Sequence, residues 1–169
     1  MLPSGNDAAI ALGDWGGKTI RKYCNLANKH LNYKGSNSRS LNFFVEYAQE
    51  KMSYQRLFIY HMNKAARTLN LENTFFMNTH GLMNSNSYST AYDVALLTSY
   101  AMKDEMFRKI VGKREYSCQI FNRTYSQQRK VTWTNTNKLL NIEGFVGVKT
   151  GVTPAAGPCL SSMFSINKN

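Results

Sequence analysis

In LNFFVEYAQEKMSYQRLFIYHMNKAARTLNL, from about Leu41 to Leu69, apolar residues return at helical intervals and put Phe58, Met62, Ala65, Ala66 and Leu69 on one stripe. The spacing predicts one long helix or two abutting helices with that stripe in the core. Upstream, NDAAIALGDW sets an acid in the first turn with small apolar residues behind it, which predicts a helix that begins at the Ser4-Gly5-Asn6 loop and ends near Gly16-Gly17. ENTFFMNTHGLMNSNS is rich in Asn and Gly and reads as an ordered loop between helices. STAYDVALLTSYAM and DEMFRKIVG each open with a capping residue and an acid, then run apolar, and the second stops at Gly112; both are predicted as short helices.

Beyond Gly112 the period changes. REYSCQIF and RTYSQQRKVTWT alternate polar residues with aromatic or β-branched ones and predict a hairpin turning at FNR. NTNKLLN is a short helical or looped link. GFVGVKTGVT and GPCLSSMFSI predict two sheet strands joined by the turn PAAG, the first carrying Lys149-Thr150-Gly151. Helices therefore come first, over about 4–112, and strands follow, over about 113–166, in one α+β domain spanning 1–169.

Composition narrows the class. A chain of 169 residues with 43% hydrophobic and 12% aromatic residues can bury a core, which a disordered chain could not. Against 10 acidic residues stand 21 Lys and Arg, a net charge of +11 that favours acidic partners: an acidic protein surface, nucleic acid or anionic lipid. Six of the basic residues fall between Lys18 and Arg39 with no acid among them, a stretch that reads as a solvated, partly flexible loop or as a docking surface. No zinc spacing, helix-turn-helix pattern or aromatic-interleaved RNA motif points to nucleic acid in particular. Cys24, Cys118 and Cys159 are far apart and read as reduced thiols. His30 and His61 have no carboxylate or cysteine at ligand spacing, so no metal and no cofactor is implied, and His80 is expected to brace its loop through hydrogen bonds. With no basic leader before an apolar run, and no apolar stretch near the ~20 residues that cross a bilayer, the expectation is an intracellular protein without a transmembrane segment.

The candidate chemistry comes from a resemblance. Ser4-Gly5-Asn6 within LPSGNDAA, then MNKAARTLNLENTFFMNTHGL, YSTAYDVALL, WTNTNKLL and GFVGVKTGVTPAAGPCL, resemble in order the successive blocks of the D-alanyl-D-alanine carboxypeptidases, the low-molecular-mass penicillin-binding proteins of peptidase family S11. The resemblance implies a partial serine β-lactamase/penicillin-binding-protein-like transpeptidase fold. It also implies acyl transfer through a serine ester, run by three elements: S-x-x-K with the nucleophile and its lysine, S-x-N, and K-T-G on a strand. Carried over, Ser4 relays protons and Asn6 holds the substrate amide. Lys149 brings positive charge to the developing oxyanion and the substrate carboxylate, and Thr150 and Gly151 complete the substrate-binding strand.

The first element has no counterpart at its expected place. Only Met1, Leu2 and Pro3 precede Ser4, and the one literal match, Ser165-Ile166-Asn167-Lys168, follows a strand instead of opening a buried helix. The expectation is therefore a catalytically incomplete relative that serves as a structural or interaction subunit of a larger assembly. The alternatives are half of a split carboxypeptidase whose nucleophile lies on another chain, and a truncated stretch of an ordinary enzyme. In the first two cases another protein chain is expected to complete the sheet and the cleft. Without a nucleophile, the favoured reading of Ser4-Gly5-Asn6 is a helix cap, and that of Lys149-Thr150-Gly151 a strand end.

Overall fold

A computed structural model of the chain describes residues 2–32, 51–122, 124 and 127–166. Its contacts divide it into two compact units, residues 6–89 and residues 1–5 with 90–169.

In the first unit, helix α1 (Asn6–Asn32) packs against helix α2 (Tyr54–Thr68). The helix expected to stop near Gly16-Gly17 runs on for another 15 residues, to Asn32. Those glycines are contact residues and not a terminus: a Cβ on Gly16 would come within 2.5 Å of the Phe58 ring, and one on Gly17 would strike the Tyr54 carbonyl. Glycine inside a helix costs about 0.5–1 kcal/mol relative to Ala, and close approach of the neighbouring helix offsets it here. The basic stretch from Lys18 is likewise helical as far as Asn32, and the Arg21 guanidinium lies 4.7 Å from the centre of the Tyr54 ring. The remainder of that stretch, and the part of the predicted helix from Leu41 to Glu50, lie outside the described residues.

Helix α2 opens on Ser53, whose side chain accepts from the Arg56 N–H. Its buried residues are Leu57, Asn63 and Ala66, while Phe58, Met62 and Leu69 are half-buried and Ala65 is exposed. The inward face is thus rotated from the predicted stripe because a polar residue belongs to it. Asn63 donates to the Phe76 carbonyl at 2.8 Å and accepts from the Phe76 N–H at 2.8 Å, so one buried amide ties the Asn-rich loop to the helix. The loop is ordered further by backbone pairing of Phe75 with Tyr88 and by the Leu82 N–H, which donates to Nδ1 of His80 at 3.2 Å, the bracing role expected of that histidine.

In the second unit, helices α3 (Ala91–Ala101) and α4 (Glu105–Val111) start at Thr90 and Asp104, whose side chains accept from the Asp93 and Phe107 N–H groups. These are the capping residues the sequence marks, and α4 stops at Gly112 as expected. Strands β1 (Glu115–Phe121) and β2 (Gln128–Thr134) form one antiparallel hairpin. A 3₁₀ turn (Lys138–Asn141) leads into a second, β3 (Phe145–Thr153) with β4 (Gly157–Phe164). The core joins Val148 of β3 to Met102 and Val111, with Phe107 and Val146 packed against it. Helices α3 and α4 therefore belong with the strands. Among the described residues no helix is long and apolar enough to cross a membrane.

Candidate active site

Strand β3 brings Lys149, Thr150 and Gly151 to a place fixed from behind by buried Val148. A Cβ added to Gly147 would come 3.0 Å from Val111 Cγ2, so the strand lies close against α4 just before Lys149. On the other strand, Ser161 is the register partner of Lys149, and its hydroxyl meets that of Thr98 on α3 at 2.9 Å. The Lys149 backbone is therefore held by an apolar contact on one neighbour and a polar one on the next.

Ser4 comes to this strand from the far end of the chain. Lys149 Nζ donates to Ser4 Oγ at 2.9 Å and also to the Thr150 carbonyl. Ser4 sits at φ +55°, in the left-handed region, a conformation that costs a non-glycine residue on the order of 1 kcal/mol or more and that collects at functional sites. The segment before it is anchored: Leu2 is buried, and its carbonyl accepts from the N–H and the hydroxyl of Thr136 at 3.4 and 3.3 Å. The Thr136 hydroxyl in turn lies 2.5 Å from that of Thr150.

Ser4, Lys149 and Thr150 are thus brought together within one unit. Gly151 follows on β3, and a Cβ added there would meet nothing within 4 Å, so the strand faces open space at this point. Asn6 is the first residue of α1 and belongs to the other unit. Ser165 follows β4, and its N–H donates to the Gly144 carbonyl at 2.8 Å. Asn167 and Lys168, the rest of that literal match, lie outside the described residues.

Burial lowers the pKa of Lys149 from its ordinary value. A partly desolvated ammonium beside an exposed hydroxyl is a place for an anion to dock, and the open strand next to it leaves room for one. His61 is lowered as well, first by burial and then by Lys64, but it sits on α2 in the other unit. Among the described residues no three of His, Cys, Asp and Glu are grouped as metal ligands would be.

Thr136 is the residue that motif reading passed over. Its signal is the alternation Thr134-Asn135-Thr136-Asn137. The Asn135 side chain reaches the carbonyls of Val111 and Lys113 and accepts from the Asn137 N–H, and Asn137 accepts from the Leu139 N–H. Two asparagines that bind nearby backbone lock a turn, and what lies between them is held rigidly.

The family model of the D-alanyl-D-alanine carboxypeptidases, peptidase family S11, matches residues 45–169 of this chain. The chain belongs to that family. This S11 chain is 37% identical over 161 residues to the D-alanyl-D-alanine carboxypeptidase of Streptomyces sp. (strain K15), covering 95% of itself and 45% of the relative. It is 38% identical over 106 residues to the carboxypeptidase DacF of Bacillus subtilis, covering 62% of itself and 26% of DacF. The crystal structure of the Streptomyces K15 DD-transpeptidase superposes with a TM-score of 0.71 at 36% identity, over 98% of this chain and 52% of that one. The fold is accordingly that of the penicillin-binding-protein DD-peptidases in part, helices with antiparallel strands, as the resemblance implied. The S11 chain spans about half the length of the relatives it matches most fully.

Proposed function

We propose that this S11 chain supplies the carboxylate-binding wall of a serine-type D-alanyl-D-alanine carboxypeptidase site. The observation that carries the proposal is the contact of Lys149 Nζ with Ser4 Oγ at 2.9 Å, made while the same ammonium donates to the Thr150 carbonyl. Residues kept only as a strand end and a helix cap have no need of a half-buried ammonium pointed at a strained serine.

In this role the terminal carboxylate of a D-Ala-D-Ala peptide docks against Lys149 and Thr150 along β3. The attacking serine and its lysine belong to a segment outside these 169 residues. That serine adds to the carbonyl carbon while its proton passes to the base. Collapse of the adduct breaks the C–N bond, and the departing D-alanine amine receives a proton through the Ser4 hydroxyl. Water then hydrolyses the ester and regenerates the serine. Lys149 keeps the carboxylate in place and stabilises the negative charge that develops on the carbonyl oxygen.

A second reading, in which the chain serves chiefly as a structural subunit, has one observation in its favour. Leu160, Met163 and Phe164 of β4 are 49%, 38% and 54% exposed, an apolar strand with room for another chain beside it. Labelling with fluorescent penicillin separates the readings. The carboxypeptidase role predicts no label on the purified chain alone. It predicts label on the nucleophile-bearing segment when that segment is combined with this chain, lost when Lys149→Ala replaces the wild type. Label on this chain alone, or labelling of the complex indifferent to Lys149→Ala, contradicts it.

A further inference from the structure

We infer that Thr136 is a positioning residue that sets the direction in which the Thr150 hydroxyl donates, and so decides whether Thr150 can bind a substrate carboxylate. The inference rests on the proposed function above and adds to it a residue outside the three motif elements.

A threonine hydroxyl has one proton to give. The Leu2 carbonyl can only accept, so in its 3.3 Å contact with Thr136 the Thr136 hydroxyl is the donor. With that proton committed, the 2.5 Å contact between Thr136 and Thr150 is made by the Thr150 hydroxyl donating into Thr136. Thr150 then presents only lone pairs outward. Lone pairs repel a carboxylate, which needs a donor.

Binding a carboxylate therefore requires the pair to reverse. Thr150 turns its proton to the incoming oxygen, and the short contact survives only if Thr136 turns its own proton to Thr150. Leu2 does not lose its partner when this happens, because the Thr136 backbone N–H also points at its carbonyl, at 3.4 Å. One residue thus offers the same carbonyl two donors and can release one of them. In the reversed chain Thr136 donates to Thr150 and Thr150 donates to the ligand, and each hydrogen bond polarises the next. The clamp acts on Ser4 as well, since Leu2 lies two residues before it and is buried.

The test compares N-acetyl-D-Ala-D-Ala with its C-terminal amide, titrated onto the full chain by calorimetry or NMR. The wild type binds the acid in preference to the amide, and Lys149→Ala removes that preference. Thr136→Val, which removes the donor that polarises the Thr150 hydroxyl, weakens the acid by about twofold and leaves the amide unchanged. Thr136→Ser restores the acid, and Thr136→Val/Thr150→Val binds it no more weakly than Thr150→Val alone. Should the valine variant not fold, Thr136→Ala, which keeps the N–H to Leu2, carries the same expectation. If Lys149→Ala abolishes the preference while Thr136→Val shifts acid and amide equally or neither, the carboxylate site stands and the role of Thr136 falls. A wild type with no preference for the acid overturns both.

Discussion

The two hairpins of the second unit are both antiparallel, yet they differ in what holds them. Strands β1 and β2 pair over seven residues without a slip, and their main ornament is the stack of Tyr116 on Trp133, with ring centres 6.2 Å apart. Among its described residues none is fully buried; Cys118, Ile120, Val131 and Trp133 are half-covered. Strands β3 and β4 slip register between Phe145 and Gly147, bury Val148 to 6% exposure against α4, and tie Ser161 to α3. The regular hairpin carries no motif residue, and the irregular, anchored one carries Lys149 and Thr150. A cation that must meet a ligand within a fraction of an ångström needs a backbone that cannot shift, and packing behind the strand supplies that better than an even ladder does.

Replacing the charge is the strongest way to break the comparison. Lys149→Met is expected to weaken binding of the D-Ala-D-Ala acid by about ten- to a hundredfold, the range for hydrogen bonds to a charged group, while Lys130→Met on β2 leaves it unchanged. The pH dependence sharpens this. Because burial lowers the Lys149 pKa, the folded chain releases that proton at a lower pH than the unfolded chain does. Between the two values the unfolded state binds more protons, so this residue's contribution to stability rises with pH there. Affinity for the acid moves the other way and is lost as Lys149 discharges, at a pH below the ordinary lysine value. Isothermal titration across the alkaline range reads it directly, and Lys149→Arg, whose charge persists, removes the decline.

Next in size is the anchor itself. Val148→Ala is expected to cost about 2 kcal/mol of stability, against about 1 kcal/mol for Val131→Ala on the half-covered hairpin, as measured by urea unfolding. Only the first should also weaken the acid peptide. The smallest effect belongs to the ring pair: a double-variant cycle of Tyr116→Ala and Trp133→Ala should give a coupling of about 0.5–1.5 kcal/mol, with ligand binding untouched.

Much of this is legible in the sequence. Thr90, Asp104 and Gly112 mark helix ends because capping is local chemistry, and the strands show themselves by alternation. Lys149 was found by its motif. What the chain hides is whatever another element decides. Gly16 and Gly17 read as a stop because glycine commonly follows a helix, but a close-packed neighbour needs the same residue. Asn63 escaped the apolar stripe because its partner is a backbone 13 positions away, and Thr136 because its partners are 134 and 14 positions away.

The central claim is that a carboxylate docks on Lys149. Following the Lys149 ε-methylene by NMR through a pH titration, with and without N-acetyl-D-Ala-D-Ala, tests it most directly. A docked anion favours the charged amine, so the acid peptide should move the Lys149 resonance and raise its pKa, and the amide should do neither. A lysine that ignores both peptides, or answers them equally, contradicts the account.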